Sequence, residues 1–186
     1  DDEINSLRGS ADFYGMNTYG GKFAKIDLDG PTPFKEINPC VPGDLPSGPP
    51  AGECGASTWL WINPLAMRNL LEYVHDRYGP KEIFITEFGV DVPGECDMTL
   101  DVALNDSLRV NYYRDYLDQA ATAKRVSGVP IKGAFAWSLL DNLEWKDGFS
   151  RRFGISYVNF TTQERSPKES AKWFQRLLTK ASVMEI

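Results

Sequence analysis

Lys81-Glu82-Ile83-Phe84-Ile85-Thr86-Glu87-Phe88-Gly89 is a short apolar run that ends abruptly in a carboxylate and a glycine. Ile83, Phe84 and Ile85 are apolar at consecutive positions, the pattern of a strand in a parallel sheet covered on both faces, where alternation is lost. Glu87 then stands at the strand's C-terminal end. In α/β architectures the loops gather at that end and the chemistry is placed there, so Glu87 is a candidate catalytic group. The competing reading is an ordinary polar residue that opens a loop.

Working outward, Asn63-Pro64 offers an N-cap followed by proline at the first helical position, with Leu65, Leu70, Leu71, Val74 and Tyr78 as the apolar stripe. The helix is expected to reach Arg77 or Tyr78, where Gly79-Pro80 stops it. Residues 11–19 read as an earlier strand that carries Asn17 and Tyr19 on one face, because side chains alternate with period two. Between them, residues 30–58 hold Pro31, Pro33, Pro39, Pro42, Pro46, Pro49 and Pro50 and are expected to form a long loop without regular structure. Beyond Glu87, Leu108, Tyr112, Tyr116 and Ala120 support a helix from about Asp106 to Val126, closed by Gly128. Val129 to Trp137 reads as the next strand and Gly154 to Phe160 as a short β segment. Ser166-Pro167-Lys168-Glu169 has the form of a capping box opening a last helix. Alternation of strand and helix means a parallel sheet with covering helices. There is no GxGxxG after the first strand and no GxxxxGK[ST], so the barrel is favoured over nucleotide-binding α/β folds. A complete (β/α)8 TIM barrel takes roughly 250 residues, and about three βα units are visible here.

The chain has 186 residues, of which 42% are hydrophobic, enough for one sizeable core. With 26 acidic against 20 basic residues and a net charge of −6, nothing favours nucleic acid or an anionic membrane as partner. No apolar run approaches the ~20 residues that span a bilayer. The acidic start, Asp1-Asp2-Glu3, resembles no signal peptide and lacks a methionine. The expectation is a start at a processing site or part-way along a longer polypeptide, with a cytoplasmic location favoured over secretion. Cys40, Cys54 and Cys96 are odd in number; Cys40 and Cys54 share one loop and could pair, but free thiols are expected. His75 is the only histidine and reads as structural, so no metal site is supported and no cofactor is expected.

The strand ends thus offer Tyr19, Glu87 and Trp137, with Glu144 and Trp145 in the loop that follows. Acids flanked by tryptophans suit sugars, whose C–H faces stack on aromatic rings while their hydroxyls donate to carboxylates. These residues sit in a wider pattern: residues 9–19, Trp59-Leu60 through Pro64, Arg68-Asn69-Leu70-Leu71, Ile85-Thr86-Glu87-Phe88-Gly89, residues 133–145, Arg152-Phe153-Gly154-Ile155 and Pro167-Lys168-Glu169-Ser170-Ala171. In that order the sequence resembles the family 1 glycoside hydrolases, in particular their fungal β-glucosidase branch.

The resemblance implies that residues 1–186 are the C-terminal part of a single barrel domain and that its three strands are the last three. It implies a retaining mechanism in which Glu87 is the nucleophile and Tyr19 the tyrosine that hydrogen-bonds it. Trp137 matches the tryptophan beneath the glycone, Glu144 the acid that accepts from its outer hydroxyls, and Trp145 a neighbouring donor. Asn17 joins this substrate-binding set. The implied substrates are β-glucosides such as cello-oligosaccharides. Two departures stand out. Phe88 replaces the usual asparagine after the nucleophile, which predicts the loss of a polar side chain beside the site. The family's Asn-Glu-Pro segment, which carries the general acid and base, is absent, so the N-terminal portion of the barrel is an expected partner. A non-catalytic carbohydrate-binding or regulatory half-barrel is the competing reading.

Overall fold

The structure is a computed structural model that describes residues 2–45 and 53–184. Its centre is the strand read first. β4 (Ile83–Phe88) lies between β1 (Tyr14–Asn17) and β5 (Ile131–Ala136) in a parallel three-stranded sheet. Met16, Ile83 and Ile85 are buried together on one face. Phe84, alternating with them, points to the other face, where its ring meets Phe13 at 5.1 Å.

The covering layer is made by two helices. α2 (Pro64–Tyr78) has Pro64 in its first turn and ends at Gly79, whose φ of 56° places it in the left-handed region and lets its N–H bond to the His75 carbonyl. Its buried stripe is Met67, Leu71 and Val74; Leu65, Leu70 and Tyr78, expected in that stripe, are exposed instead. Leu65 lies on the far side of the helix from Met67, Leu71 and Val74, and Tyr78, though in phase with them, is the last residue of the helix. α1 (Asp2–Leu7) is a short exposed helix at the start, and α3 (Leu100–Leu104) another that precedes α4. α4 (Ser107–Ser127) packs on α2 and buries Arg109, Tyr112, Tyr113, Tyr116, Ala120 and Ala123.

Three expectations are corrected by the structure. The segment 30–58 is not wholly irregular, because β3 (Phe34–Ile37) pairs antiparallel with β2 (Phe23–Ile26); of that segment, residues 46–52, with Pro46, Pro49 and Pro50, lie outside the described residues. Cys40 and Cys54 are joined in a disulfide. The hairpin end and a bridge between Cys54 and Trp61 bring their Cα atoms to 5.9 Å, within the span that a disulfide requires. Ser166-Pro167 does not cap a helix: both residues belong to β7 (Arg165–Pro167), which pairs with β6 (Ser156–Val158), and α5 (Glu169–Met184) starts only after them.

Behind the strand ends lies a fully buried set of charges. Arg109 Nη2 bonds Glu95 at 2.6 Å and its Nη1 bonds Asp106 at 2.5 Å, while its Nε reaches the Val90 carbonyl. Lys168 Nζ is paired with Glu95 at 2.5 Å and with Asp141 at 2.9 Å, and Arg152 closes on Asp141 at 2.7 Å. Three cations and three acids therefore balance, and they tie the loop after β4 to α4, the loop after β5 and the start of α5. Breaking such a buried set by removing one partner costs about 3–5 kcal/mol, because the opposing charge is left uncompensated. Asp106 also accepts from the N–H and hydroxyl of Ser170. Asp106→Ala is expected to lower stability by that amount in chemical denaturation. Asp115→Ala, which breaks the exposed pair with Arg114, should cost under about 1 kcal/mol.

Candidate active site

The C-terminal ends of β1, β4 and β5 converge on a cavity of about 450 Å³. Asn17, Tyr19, Glu87, Trp137, Glu144 and Trp145 all line it, together with Trp59, Lys146, Asp147 and Phe153. The site residues expected from sequence are thus brought to one place. Asn17 pairs with Glu87 across β1 and β4, and the register slips on both strands just before these residues. Such irregularities re-aim side chains at the rim of a sheet.

Tyr19 Oη donates to Glu87 Oε2 at 2.5 Å. Burial raises the Tyr19 phenol far above its ordinary range, and the neighbouring Glu87, Glu144 and Tyr113 push it further in the same direction. Tyr19 is therefore a neutral, committed donor. Thr86 Oγ1 donates to Asn17 Oδ1 at 2.6 Å, which fixes the amide beside them.

The strand ends are held together from behind. Tyr112 Oη donates to the Tyr19 carbonyl at 2.7 Å and accepts from the Gly89 N–H at 3.2 Å, so one hydroxyl joins the ends of β1 and β4. Tyr113 Oη donates to the Trp137 carbonyl at 3.1 Å, adding β5. Gly89 is required for this approach, since a Cβ there would lie 2.0 Å from the Trp137 carbonyl oxygen. Sequence periodicity identified Tyr112 as part of an apolar stripe; its hydroxyl's work is invisible to that signal.

Past β5 the chain turns through a cis peptide bond between Trp137 and Ser138. Trp137 Nε1 donates to Glu144 Oε2 at 3.4 Å. Burial raises the Glu144 carboxyl above its usual range; the Trp137 bond opposes this, and the negative charges of Asp91, Asp147 and Glu87 add to the rise. Trp145 is largely exposed at the rim, where the turn is closed by Glu144 N–H to the Gly148 carbonyl at 2.7 Å.

Phe88 departs from its expected setting. It is buried in the core, packed edge-on against Tyr113 at 5.1 Å and stacked near Tyr112, on the face opposite the cavity. The change from asparagine therefore alters the packing behind the strand and not the lining of the site. Trp59 and Phe153 were not singled out as site residues, although both stand in stretches that carry the resemblance. Their rings lie nearly parallel at 6.4 Å, and Trp59 meets Tyr19 edge-on at 5.6 Å. An aromatic residue at the edge of a Pro/Gly-rich loop was the available signal.

The sequence model of Glycosyl hydrolase family 1 matches residues 1–183. The chain belongs to glycosyl hydrolase family 1. It is 39% identical over 187 residues to Beta-glucosidase 34 of Oryza sativa subsp. japonica, covering 97% of this chain and 36% of that protein. With Beta-glucosidase 1B of Phanerodontia chrysosporium it shares 39% identity over 175 residues, 94% of this chain and 32% of the relative. Among solved structures, beta-glucosidase 2 from the fungus Trichoderma reesei in complex with Tris superposes with a TM-score of 0.87 at 34% identity, covering 97% of this chain and 39% of that one. A GH1 beta-glucosidase from the fungus Humicola insolens in complex with glucose gives 0.87 at 36% identity, with 96% and 38% covered. The chain thus spans between about a third and two fifths of the length of these relatives. The family fold is the (β/α)8 barrel, and the sheet described here is part of one.

Because the Glu144 carboxyl is raised in the folded state, the folded protein binds more protons than the unfolded chain between the unfolded and folded pKa values. Stability should fall as pH rises through that window, and Glu144→Gln should remove this loss in denaturation curves taken across it. Trp137→Phe, which deletes the bond favouring the charged form, should move the Glu144 titration upward in carboxyl NMR.

Proposed function

We propose that this chain supplies the nucleophile and most of the sugar-gripping surface of a retaining β-glucosidase, as the C-terminal part of a single (β/α)8 barrel over residues 1–186. Its three parallel strands are then the last three of that barrel. The observation that carries this reading is the 2.5 Å bond from Tyr19 to Glu87 at the floor of a cavity walled by Trp59, Trp137 and Glu144.

In this reading a Glu87 oxygen attacks the anomeric carbon of a terminal β-glucosyl unit, the C1–O bond to the leaving group breaks, and a glycosyl ester forms. Water then attacks C1, the ester opens, and Glu87 returns as a carboxylate. Tyr19 keeps the attacking carboxylate aimed. Trp137 offers its face to the apolar side of the ring, and Glu144 and Asn17 take the hydroxyls, with Trp145 closing the mouth. A sugar lacking a hydroxyl would leave Glu144 unpaired, which makes the acid a selector.

Protonation of the leaving oxygen needs a second carboxylate about 5 Å from the first. No Asn-Glu-Pro occurs in these residues, so that group belongs to the N-terminal portion of the barrel, the partner of this chain in catalysis. Support comes from the relatives' names and from the glucose bound by the Humicola insolens enzyme. Cellobiose-like β-glucosides are the proposed substrates.

The test is a 2-fluoro glucoside applied to the barrel assembled from this chain and its N-terminal portion. The label is expected on Glu87, and Glu87→Gln should abolish both labelling and hydrolysis. Sugar binding without labelling or turnover would instead favour the non-catalytic half-barrel. Tyr19→Phe removes a hydrogen bond to a charged group, worth about 1.5–3 kcal/mol, so kcat should fall roughly 10- to 100-fold.

A further inference from the structure

Asp91 lies four residues beyond Glu87 and has no exposed surface. Every acid of the Arg109 set meets a cation, but no salt bridge among the described residues includes Asp91. Its side chain has a single donor, Ser57 Oγ, at 2.6 Å from Oδ2; Oδ1 is buried and unpartnered. A buried carboxylate is costly to keep where an apolar side chain would pack as well. An isolated one in the loop that follows Glu87 is therefore a candidate for function.

What Asp91 holds is a turn. Its carbonyl accepts from the Ala56 N–H at 2.9 Å, and a Cβ on Gly55 would lie 2.6 Å from its Oδ1, so residues 55–57 all close on it. The turn is completed by Gly55 N–H to the Leu60 carbonyl and Leu60 N–H to the Ser57 carbonyl. Asn38 Nδ2 meets the Thr58 carbonyl at 2.9 Å from the far side. Trp59 stands at the tip. A short path, Glu87 to Asp91 to Ser57 to Trp59, thus connects the reactive end of the cavity to its outer wall.

Trp59 is also a partition. It lines the cavity that contains Glu87 and a second hollow of about 360 Å³ that it shares with Asn17, Tyr19 and Lys22. Asn17 and Tyr19, held by their own hydrogen bonds, line both spaces with it.

We propose that Asp91 is a positioning residue which, through Ser57, fixes the Trp59 ring and thereby sets the size and shape of the leaving group that the site accepts. This rests on the β-glucosidase reading given above. The leaving group concerned is a ring-bearing one, a second sugar or an aryl group, since only these reach Trp59. Asp91 makes no hydrogen bond to the residues that grip the glycosyl unit, although its charge acts on one of them, Glu144; Ser57→Ala keeps that charge and so reads the ring alone.

The experiment uses the assembled barrel with two substrates, cellobiose and β-glucosyl fluoride, whose leaving group is a single atom. Ser57→Ala should raise KM for cellobiose about three- to tenfold with kcat nearly constant and leave the fluoride unaffected, and Asp91→Ala should give at least the same rise for cellobiose. Asp91→Asn, whose amide oxygen can still accept from Ser57, should keep the original KM. In a Trp59→Ala background, Ser57→Ala should add nothing, as expected of residues acting in series. Equal losses on both substrates, or additivity with Trp59→Ala, would overturn the proposal. Ser57→Ala is the mild variant that answers the question if Asp91→Ala fails to fold.

A readout without turnover separates this proposal from the reading it rests on. The indole N–H signal of Trp59, assigned by its loss in Trp59→Phe, should shift in Ser57→Ala and Asp91→Ala and not in Asp91→Asn. An unmoved signal sinks the positioning role even in an active enzyme. A moved signal in a barrel that Glu87 labelling shows to be inert leaves the positioning of the ring standing and removes only its link to catalysis.

Discussion

The Tyr112 hydroxyl is the constraint on which the site depends. It gives its proton to the Tyr19 carbonyl and takes one from the Gly89 amide, so the ends of β1 and β4 cannot move independently. Tyr19 and Glu87 face each other at 2.5 Å because the backbone is held at Tyr19 itself and two residues beyond Glu87 by one buried hydroxyl. Burial raises the Tyr112 phenol well above its ordinary range, which keeps it a neutral donor. In the core an unmade bond of this kind costs about 1–3 kcal/mol, so the clamp resists opening. Tyr113 extends it to Trp137, and one helix thereby aligns three strand ends.

Electrostatics divides the molecule into two regimes behind and in front of that helix. Behind, Arg109, Lys168 and Arg152 neutralise Glu95, Asp106 and Asp141, and the loops that leave β4 and β5 are anchored to α4 and α5. Burial and the neighbouring Arg109 lower the Lys168 ammonium, while Glu95 and Asp141 act to hold it charged. In front, the acids lack such compensation. The rise of the Glu144 carboxyl is partly the work of the negative charges of Asp91, Asp147 and Glu87. A site lined by Glu87, Glu144 and Asp147 against the single cation Lys146 suits neutral, hydroxyl-rich ligands that donate.

How much of this was legible in the sequence follows from what each element depends on. β4, α2 and α4 carry their own signals: an apolar run, a proline at the first turn, glycines in the left-handed region at the ends. The strand-end residues were also legible, because a strand that stops in Glu87 must expose it where its neighbours stop. The β2–β3 hairpin was not, since its strands are short and almost wholly exposed and offer no alternation. Ser166-Pro167-Lys168-Glu169 satisfied a local capping pattern, yet Ser166 pairs with Tyr157 in β7 and Lys168 is drawn inward by Glu95 and Asp141. Long-range pairing overrode local preference. Arg109 sits among tyrosines on the buried face of α4, where periodicity reads a polar residue as an interruption; only its partners, 3 and 14 residues away, explain it.

Phe88 shows how the same spacing argument cuts both ways. Because the register slips between Ile85 and Phe88, Glu87 leaves the face of Ile83 and Ile85, and Phe88 takes it and points into the helix layer. Its aromatic ring there lies nearly parallel to Tyr112 and edge-on to Tyr113, strengthening the layer that registers the strand ends. The other face of the sheet has no such cover. Phe84 is only half-buried, and Phe13 and Phe135 are 53% and 59% exposed. In a closed (β/α)8 barrel the side chains of that face are packed in layers by strands from the whole ring. Aromatic surface of this extent costs free energy in water. The sheet holds the residues at its strand ends in place from the helix side alone, and its apolar inner face is the one that a closed barrel covers.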